Sequence, residues 1–134
     1  MRRSYPERAL HAQVAAFLRV ALPEEYCWTT FPAGGGGRVR GAQLKQAGLM
    51  AGWPDIQILS PYGQTTFIGI ELKAKKGRLS DEQIACHDRI RKADGEVVVC
   101  RSVEDVEETL RERGFRLKAT VVSPNVYMRE DDAA

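Results

Sequence analysis

At 134 residues the chain is one domain in length, large enough for a single sheet-and-helix core but not for a second catalytic module. The start, Met-Arg-Arg-Ser-Tyr-Pro-Glu, lacks an apolar signal region and no apolar run approaches a membrane span, which argues against a membrane or secreted protein and for a soluble, cytoplasmic one. The formal charge of +2 is unevenly spread: positions 38–78 hold seven Lys or Arg against two acids, whereas the segment after Cys100 holds eight acids, an asymmetry that suits a polyanion at one face.

Pro6 makes a good first helical position, and Leu10, Val14, Phe17, Leu18 and Ala21 follow at helical spacing until Pro23, with Glu7 and His11 on the same stripe. Glu7 in a first turn is also favoured simply by the helix dipole. Cys27 to Phe31 reads as a short strand, and Pro32 to Arg40, with its run of four glycines and two arginines, as a loop. Those glycines would let a phosphate approach, but no Gly-Lys-Ser/Thr follows, so a nucleotide cofactor bound in the Walker manner is not expected. Gly41 to Ala47 reads as a short helix presenting Lys45, ended by Gly48.

Ile56 to Leu59 and Phe67 to Leu72 are β-branched and aromatic, with turn chemistry in Ser60-Pro61-Tyr62-Gly63-Gln64 between them, so two antiparallel strands are expected. The basic loop Lys75-Lys76-Gly77-Arg78 comes next. Ser80-Asp81-Glu82-Gln83 then forms a capping box, with Leu79 and Ile84 placed as a hydrophobic staple. Gln83, Cys86, Ile90 and Ala93 share the face turned to the sheet. Gly95 is expected to end that helix and Glu96 to Cys100 to be a buried strand. Ser102 caps a last helix with Val103, Val106 and Leu110 inward, and Gly114 stops it. Phe115 to Val122 reads as a final strand and 129–134 as a disordered tail, leaving a core of about 5–123. Cys27, Cys86 and Cys100 are odd in number, lack metal-ligand spacing, and carry no assigned chemistry.

The chemistry concentrates on the paired strands. Alternation puts Phe67, Gly69, Glu71 and Lys73 on one face and Ile68, Ile70 and Leu72 on the other, so Glu71 and Lys73 point the same way, with Gly69 leaving room beside Glu71. Asp55 opens the neighbouring strand after Pro54. Two nearby carboxylates raise each other's pKa unless a cation shares them, and hard oxygen ligands suit Mg²⁺ or Mn²⁺ rather than zinc. Lys73 would lie near the water bound to that metal, to help deprotonate it or to stabilise phosphoryl charge. The plainer alternative is a surface Glu–Lys pair, which contributes little. Lys75, Lys76 and Arg78 directly follow this strand, where a polyanion would run to reach Asp55 and Glu71; Arg38, Arg40 and Lys45 add to the same basic stretch.

Pro54-Asp55 followed by Glu71-Leu72-Lys73 resembles the PD-(D/E)XK signature of restriction-endonuclease-like proteins. More narrowly, Leu44-Lys45 through Gly48, Gly52-Trp53-Pro54-Asp55, Glu71-Leu72-Lys73, Gly77-Arg78-Leu79-Ser80-Asp81-Glu82-Gln83 and Val97-Val98-Val99-Cys100 resemble the virus-type replication-repair nuclease (VRR-NUC) domain. The likeness covers about residues 7 to 102. It departs from the family at Ala33, where related domains tend to carry Pro-Asn-Gly.

That resemblance implies an α/β restriction-endonuclease-like fold with a mixed central sheet flanked by helices. It further implies a metal site of Asp55, Glu71 and the Leu72 carbonyl, a contribution from Glu7, a catalytic Lys73 and a supporting Gln83. A stand-alone form is similar to phage-type members, which implies a homodimer cutting branched DNA such as four-way (Holliday) junctions, in a bacterial or phage-infected cell. The alternatives are a sequence-specific restriction-type endonuclease, disfavoured by the lack of a target-recognition segment, and a non-catalytic DNA-binding module, disfavoured by the intact Asp, Glu and Lys.

Overall fold

Leu10, Val14, Phe17, Leu18 and Ala21, spaced for one helical face, all turn inward. In the computed structural model, which describes residues 4–31, 37–61 and 67–132, they lie on helix α1 (Tyr5–Ala21). The helix starts one residue before the proline, because Ser4 is the N-cap: its hydroxyl accepts the Glu7 amide at 3.3 Å. Pro6 sits in the first turn, where no intrahelical N–H is required.

Strands β1 (Cys27–Thr30), β2 (Ile56–Leu59), β3 (Ile68–Leu72) and β4 (Glu96–Cys100) form one mixed sheet in that order. β1 to β3 run antiparallel, while β4 lies parallel to β3 and is reached through helix α3 (Asp81–Lys92). The register pairs Ile56 with Ile70 and Ile58 with Ile68. All four residues are fully buried beneath α1 and helix α4 (Val103–Glu112), together with Leu72, Val106 and Leu110. The opposite face of the sheet carries α3 through a smaller cluster of Cys86, Ile90 and Val97, bordered by Met50, Trp53 and Phe67. The predicted alternation of β3 thus separates the two layers, with Ile68, Ile70 and Leu72 facing the large core and Phe67 and Glu71 facing α3.

The capping box of α3 forms as expected, with Gln83 N donating to Ser80 Oγ at 3.1 Å and Ser80 N donating to Gln83 Oε1 at 2.9 Å. Ile84, expected in a staple, is 53% exposed, and Ala93 is an exposed C-cap rather than an inward residue. The turn after α3 differs from expectation as well. Asp94, not Gly95, takes the left-handed conformation (φ 66°), while Gly95 donates its amide to Ile90 O at 2.9 Å. Gly95 serves close packing, since a Cβ there would meet Ile90 Cγ2 at 2.7 Å.

Helix α2 spans Gly37–Gln46, so Arg38 and Arg40 are helical and exposed rather than in a loop. Positions 32–36 of the glycine-rich stretch, and Tyr62, Gly63 and Gln64 of the expected turn, lie outside the described residues. The expected final strand is shorter and belongs to a separate ribbon: β5 (Ala119–Ser123) pairs antiparallel with β6 (Val126–Arg129). Phe115 is instead committed to the core, stacked on Tyr26 at 4.8 Å. The expected disordered tail is structured through Asp132, since Arg129 ends β6 and Glu130–Asp132 form a 3-10 turn, the Glu130 amide donating to Lys118 O. Residues 133–134 lie outside the described part.

Candidate active site

Asp55 stands where the β2–β3 ladder stops. The Asp55 carbonyl accepts Phe31 N at 2.7 Å, tying the residue to the end of β1. The last paired position is Ile56 with Ile70, and the next β3 amide on that edge, Leu72 N, donates to Asp55 Oδ2 at 2.7 Å. A side chain thereby completes what the backbone leaves open, which satisfies a buried N–H and fixes the carboxylate beside the Leu72 backbone. Continued by one step, the antiparallel register sets Asp55 opposite Glu71, with both side chains on the α3 face.

Glu71 is 2% exposed, a burial that an ionised carboxylate tolerates only with partners. α3 supplies two. Gln83 Nε2 donates to Glu71 Oε2 at 3.2 Å, and His87 Nε2 lies 3.1 Å from Glu71 Oε1. The Gln83 amide orientation is settled by its other end, because Oε1 accepts the Ser80 amide and Nε2 must then face Glu71. Burial, and then the Arg91 charge, hold the His87 imidazole below its ordinary range, with Asp55 pulling it up and Lys73 pushing it down. His87 is therefore neutral near pH 7, and both Asp55 and Lys73 act on it electrostatically. Burial and the neighbouring Glu71 charge push the Cys86 thiol up, consistent with an inert packing role.

Lys73 continues β3 by one residue: its amide donates to Cys100 O at 3.1 Å, and its largely buried ammonium lies 3.9 Å from Glu7 Oε1. Glu7 thus enters the site by way of Lys73. Beyond it, Ala74 to Arg78 turn back on themselves, with Gly77 N donating to Ala74 O at 2.9 Å. Arg101 Nη1 donates to the carbonyls of Ala74 and Gly77, both at 2.7 Å. This leaves Lys75, Lys76 and Arg78 exposed on a braced turn. Arg38, Arg40 and Lys45 are exposed on α2, where Arg38 and Lys45, two turns apart, share a face that Arg40 does not. His11 is half-buried on α1.

Two glycines lock these parts together. Gly52 has φ +84°, and a Cβ there would meet Glu82 O at 2.4 Å and Gln83 Cα at 2.7 Å, so the Gly-Trp-Pro-Asp segment lies directly against the first turn of α3. Gly69 makes room not for Glu71, as expected, but for Pro54: a Cβ would meet Pro54 Cγ at 2.6 Å. His87 and Arg101 are the functional candidates that the sequence reading missed. His87 had a signal, being four residues after Gln83 and hence on the same helical face; Arg101, reaching back 24 residues to Gly77, had none.

Residues 36–104 match the model of the VRR-NUC domain, just over half of the chain. The chain belongs to the VRR-NUC family. The matched span contains Asp55, Glu71, Lys73, Gln83 and His87 and begins after Glu7. A solved structure described as a "VRR_NUC domain protein" superposes with a TM-score of 0.51 at 22% identity, over 63% of this chain and 64% of the other. That match, which takes in less than two thirds of the solved chain, shows the shared fold. No curated protein matches the chain. VRR-NUC domains are a nuclease family, and the mixed sheet flanked by helices is consistent with a restriction-endonuclease-like fold. Among the described residues, no helix is long and apolar enough to cross a membrane.

Among the described residues no three His, Cys, Asp or Glu side chains converge to hold a metal by themselves, which disfavours an all-protein cage of the zinc or calcium kind. Two carboxylates beside a strand backbone fit Mg²⁺ or Mn²⁺, which keep several waters and take one or two carboxylates together with substrate phosphate oxygens.

Proposed function

We propose that the chain is a Mg²⁺- or Mn²⁺-dependent endonuclease that hydrolyses DNA phosphodiester bonds. The observation that carries this reading is the meeting of Asp55, Glu71 and Lys73 at the end of β3, directly before an exposed, Arg101-braced basic turn. Asp55, Glu71 and the Leu72 carbonyl would hold the cation, with Glu7 an outer partner beside Lys73. When bound, the cation would supply Lewis-acid stabilisation of phosphoryl charge and a more acidic water. Lys73 positions the attacking water and, as an ammonium held beside Glu7, stabilises the developing phosphoryl charge. Gln83 holds the Glu71 carboxylate in one orientation. Lys75, Lys76 and Arg78 bind phosphates along the approach, and the α2 cations Arg38, Arg40 and Lys45 extend that surface.

The substrate we favour is branched DNA, four-way junctions in particular, cut by a homodimer in replication, recombination or repair. A single site per chain supports this, since cutting two related strands requires two sites about a two-fold axis. The test is a cleavage panel of duplex, flap, fork and four-way-junction DNA with and without Mg²⁺, run with Asp55→Asn and Glu71→Gln and paired with sedimentation. Loss of cutting in both variants and in EDTA, with the fold intact, is expected. Undiminished rates in EDTA would sink the metal-dependent reading; a monomer that prefers flaps would remove the junction and leave the nuclease.

A further inference from the structure

The buried pair of His87 and Glu71 is not explained by packing alone. His87 is 1% exposed, yet only one of its ring nitrogens is partnered: Nε2 meets Glu71 Oε1 at 3.1 Å, while among the described residues Nδ1 is buried without a hydrogen-bond partner. Leaving a buried polar atom unsatisfied is destabilising, and an apolar residue at this helix position would avoid it. The polar contact this ring makes is the one through Nε2. Because that nitrogen faces a carboxylate oxygen, it carries the proton, which leaves Nδ1 as the bare acceptor.

Gln83 and His87 are one helical turn apart on the inward face of α3, so each presents a donor to a different oxygen of the same carboxylate. The last torsion of a glutamate is broad, and two donors on separate oxygens restrict the plane of its carboxylate. The helix bearing them is itself fixed, by the Ser80 capping box at its start and by Cys86 and Ile90 against Val97. We infer that His87 is a positioning residue: its Nε2–H, acting with Gln83, sets the Glu71 carboxylate in the orientation that binds the divalent cation. Partners of this kind typically affect metal affinity by about 10–100-fold.

The inference rests on Asp55 and Glu71 being the cation site, and the experiment separates the two. Mn²⁺ binding to the DNA-free protein is measured by electron paramagnetic resonance of the free ion for wild type, Glu71→Gln, His87→Gln and His87→Met. Gln and Met are of similar length and flexibility, but only Gln can donate an N–H from the position of Nε2. Thermal unfolding of each variant confirms that it is folded. Wild-type binding lost in Glu71→Gln, weakened about tenfold or more in His87→Met and largely kept in His87→Gln is the expected pattern. Equal affinities in His87→Met and His87→Gln, whether both kept or both lost, would overturn the positioning role while the cation site stands. Wild-type Mn²⁺ binding that Glu71→Gln leaves unchanged would overturn the cation site and this inference with it.

Discussion

Gly52→Ala tests the join between the Pro-Asp segment and α3, and Gly48→Ala is its internal control. Both glycines have positive φ, +84° and +101°, but a Cβ at Gly48 meets nothing within 4 Å, whereas one at Gly52 meets the Glu82 carbonyl oxygen at 2.4 Å and Gln83 Cα at 2.7 Å. The left-handed conformation costs alanine about 1–2 kcal/mol, partly offset by about 0.4–1 kcal/mol from the stiffer unfolded chain. Gly48→Ala should therefore lose about 0.5–1 kcal/mol. Gly52→Ala adds a clash with helix backbone, which cannot rotate aside, and overpacking of that kind costs a further ~1–3 kcal/mol. The total, about 1.5–4 kcal/mol, is a large part of a domain's usual ~5–15 kcal/mol. Urea unfolding reads the difference as a lower midpoint at unchanged slope. Because the displaced atoms include Gln83 Cα, DNA cleavage by folded Gly52→Ala should also fall. Equal midpoints for the two variants would refute the close approach.

Other expectations follow from the same contacts. Lys75→Ala with Lys76→Ala should weaken binding to every DNA shape and reduce the slope of log affinity against log salt by up to about 2, each phosphate contact contributing about 0.9; an unchanged slope in a filter-binding titration would remove the assigned role. Arg101→Ala releases the Ala74 and Gly77 carbonyls and should weaken DNA binding without altering the charge of the turn itself, whereas Lys75→Arg should leave binding near wild type. Glu107 lies between α4 and β5; burial opposes its charge, but bonds from Thr120, the Val121 amide and Arg111 outweigh that and hold its carboxyl below the ordinary range. A depressed folded pKa means that this stabilisation is full at neutral pH and is lost as pH falls below about 4.5 through the folded value. Glu107→Gln should thus lose about 1–2 kcal/mol at pH 7 and flatten the acid limb of the stability profile.

Periodicity made the central strands legible, because Ile56, Ile58, Ile68 and Ile70 repeat at two and Leu10, Val14 and Leu18 at helical spacing, and each set buries a single face. The capping box around Ser80 and the α4 cap at Ser102 were equally readable, since both are local. What escaped the sequence is long-range. Phe115 looked like a strand residue because its β propensity is local, but stacking on Tyr26 decides its place. The local pattern gives Gly69 as space beside Glu71, but the Pro54 ring, distant in sequence, fills it. At the candidate site the acids and the lysine were visible as polar residues in apolar strands; His87 was not, because a histidine on a mostly polar helix carries no such contrast.

The placement of Asp55 shows why a strand end is a suitable base for such a site. Inside a ladder a carboxylate would compete with backbone partners for each amide, and both faces of the sheet are packed under helices. At the point where β2 gives out, the unpaired Leu72 amide needs an acceptor, and the Asp55 side chain provides it at 2.7 Å. The same bond that completes the sheet therefore orients one proposed ligand, and Pro54, seated against Gly69, keeps the chain extended into it. Glu71 is fixed from the opposite direction by α3, whose first turn is in turn seated on Gly52. Two independent supports, one from sheet termination and one from helix packing, hold the carboxylates on a common face. The proposed cation would meet oxygens already oriented, so little ordering would remain to oppose its binding.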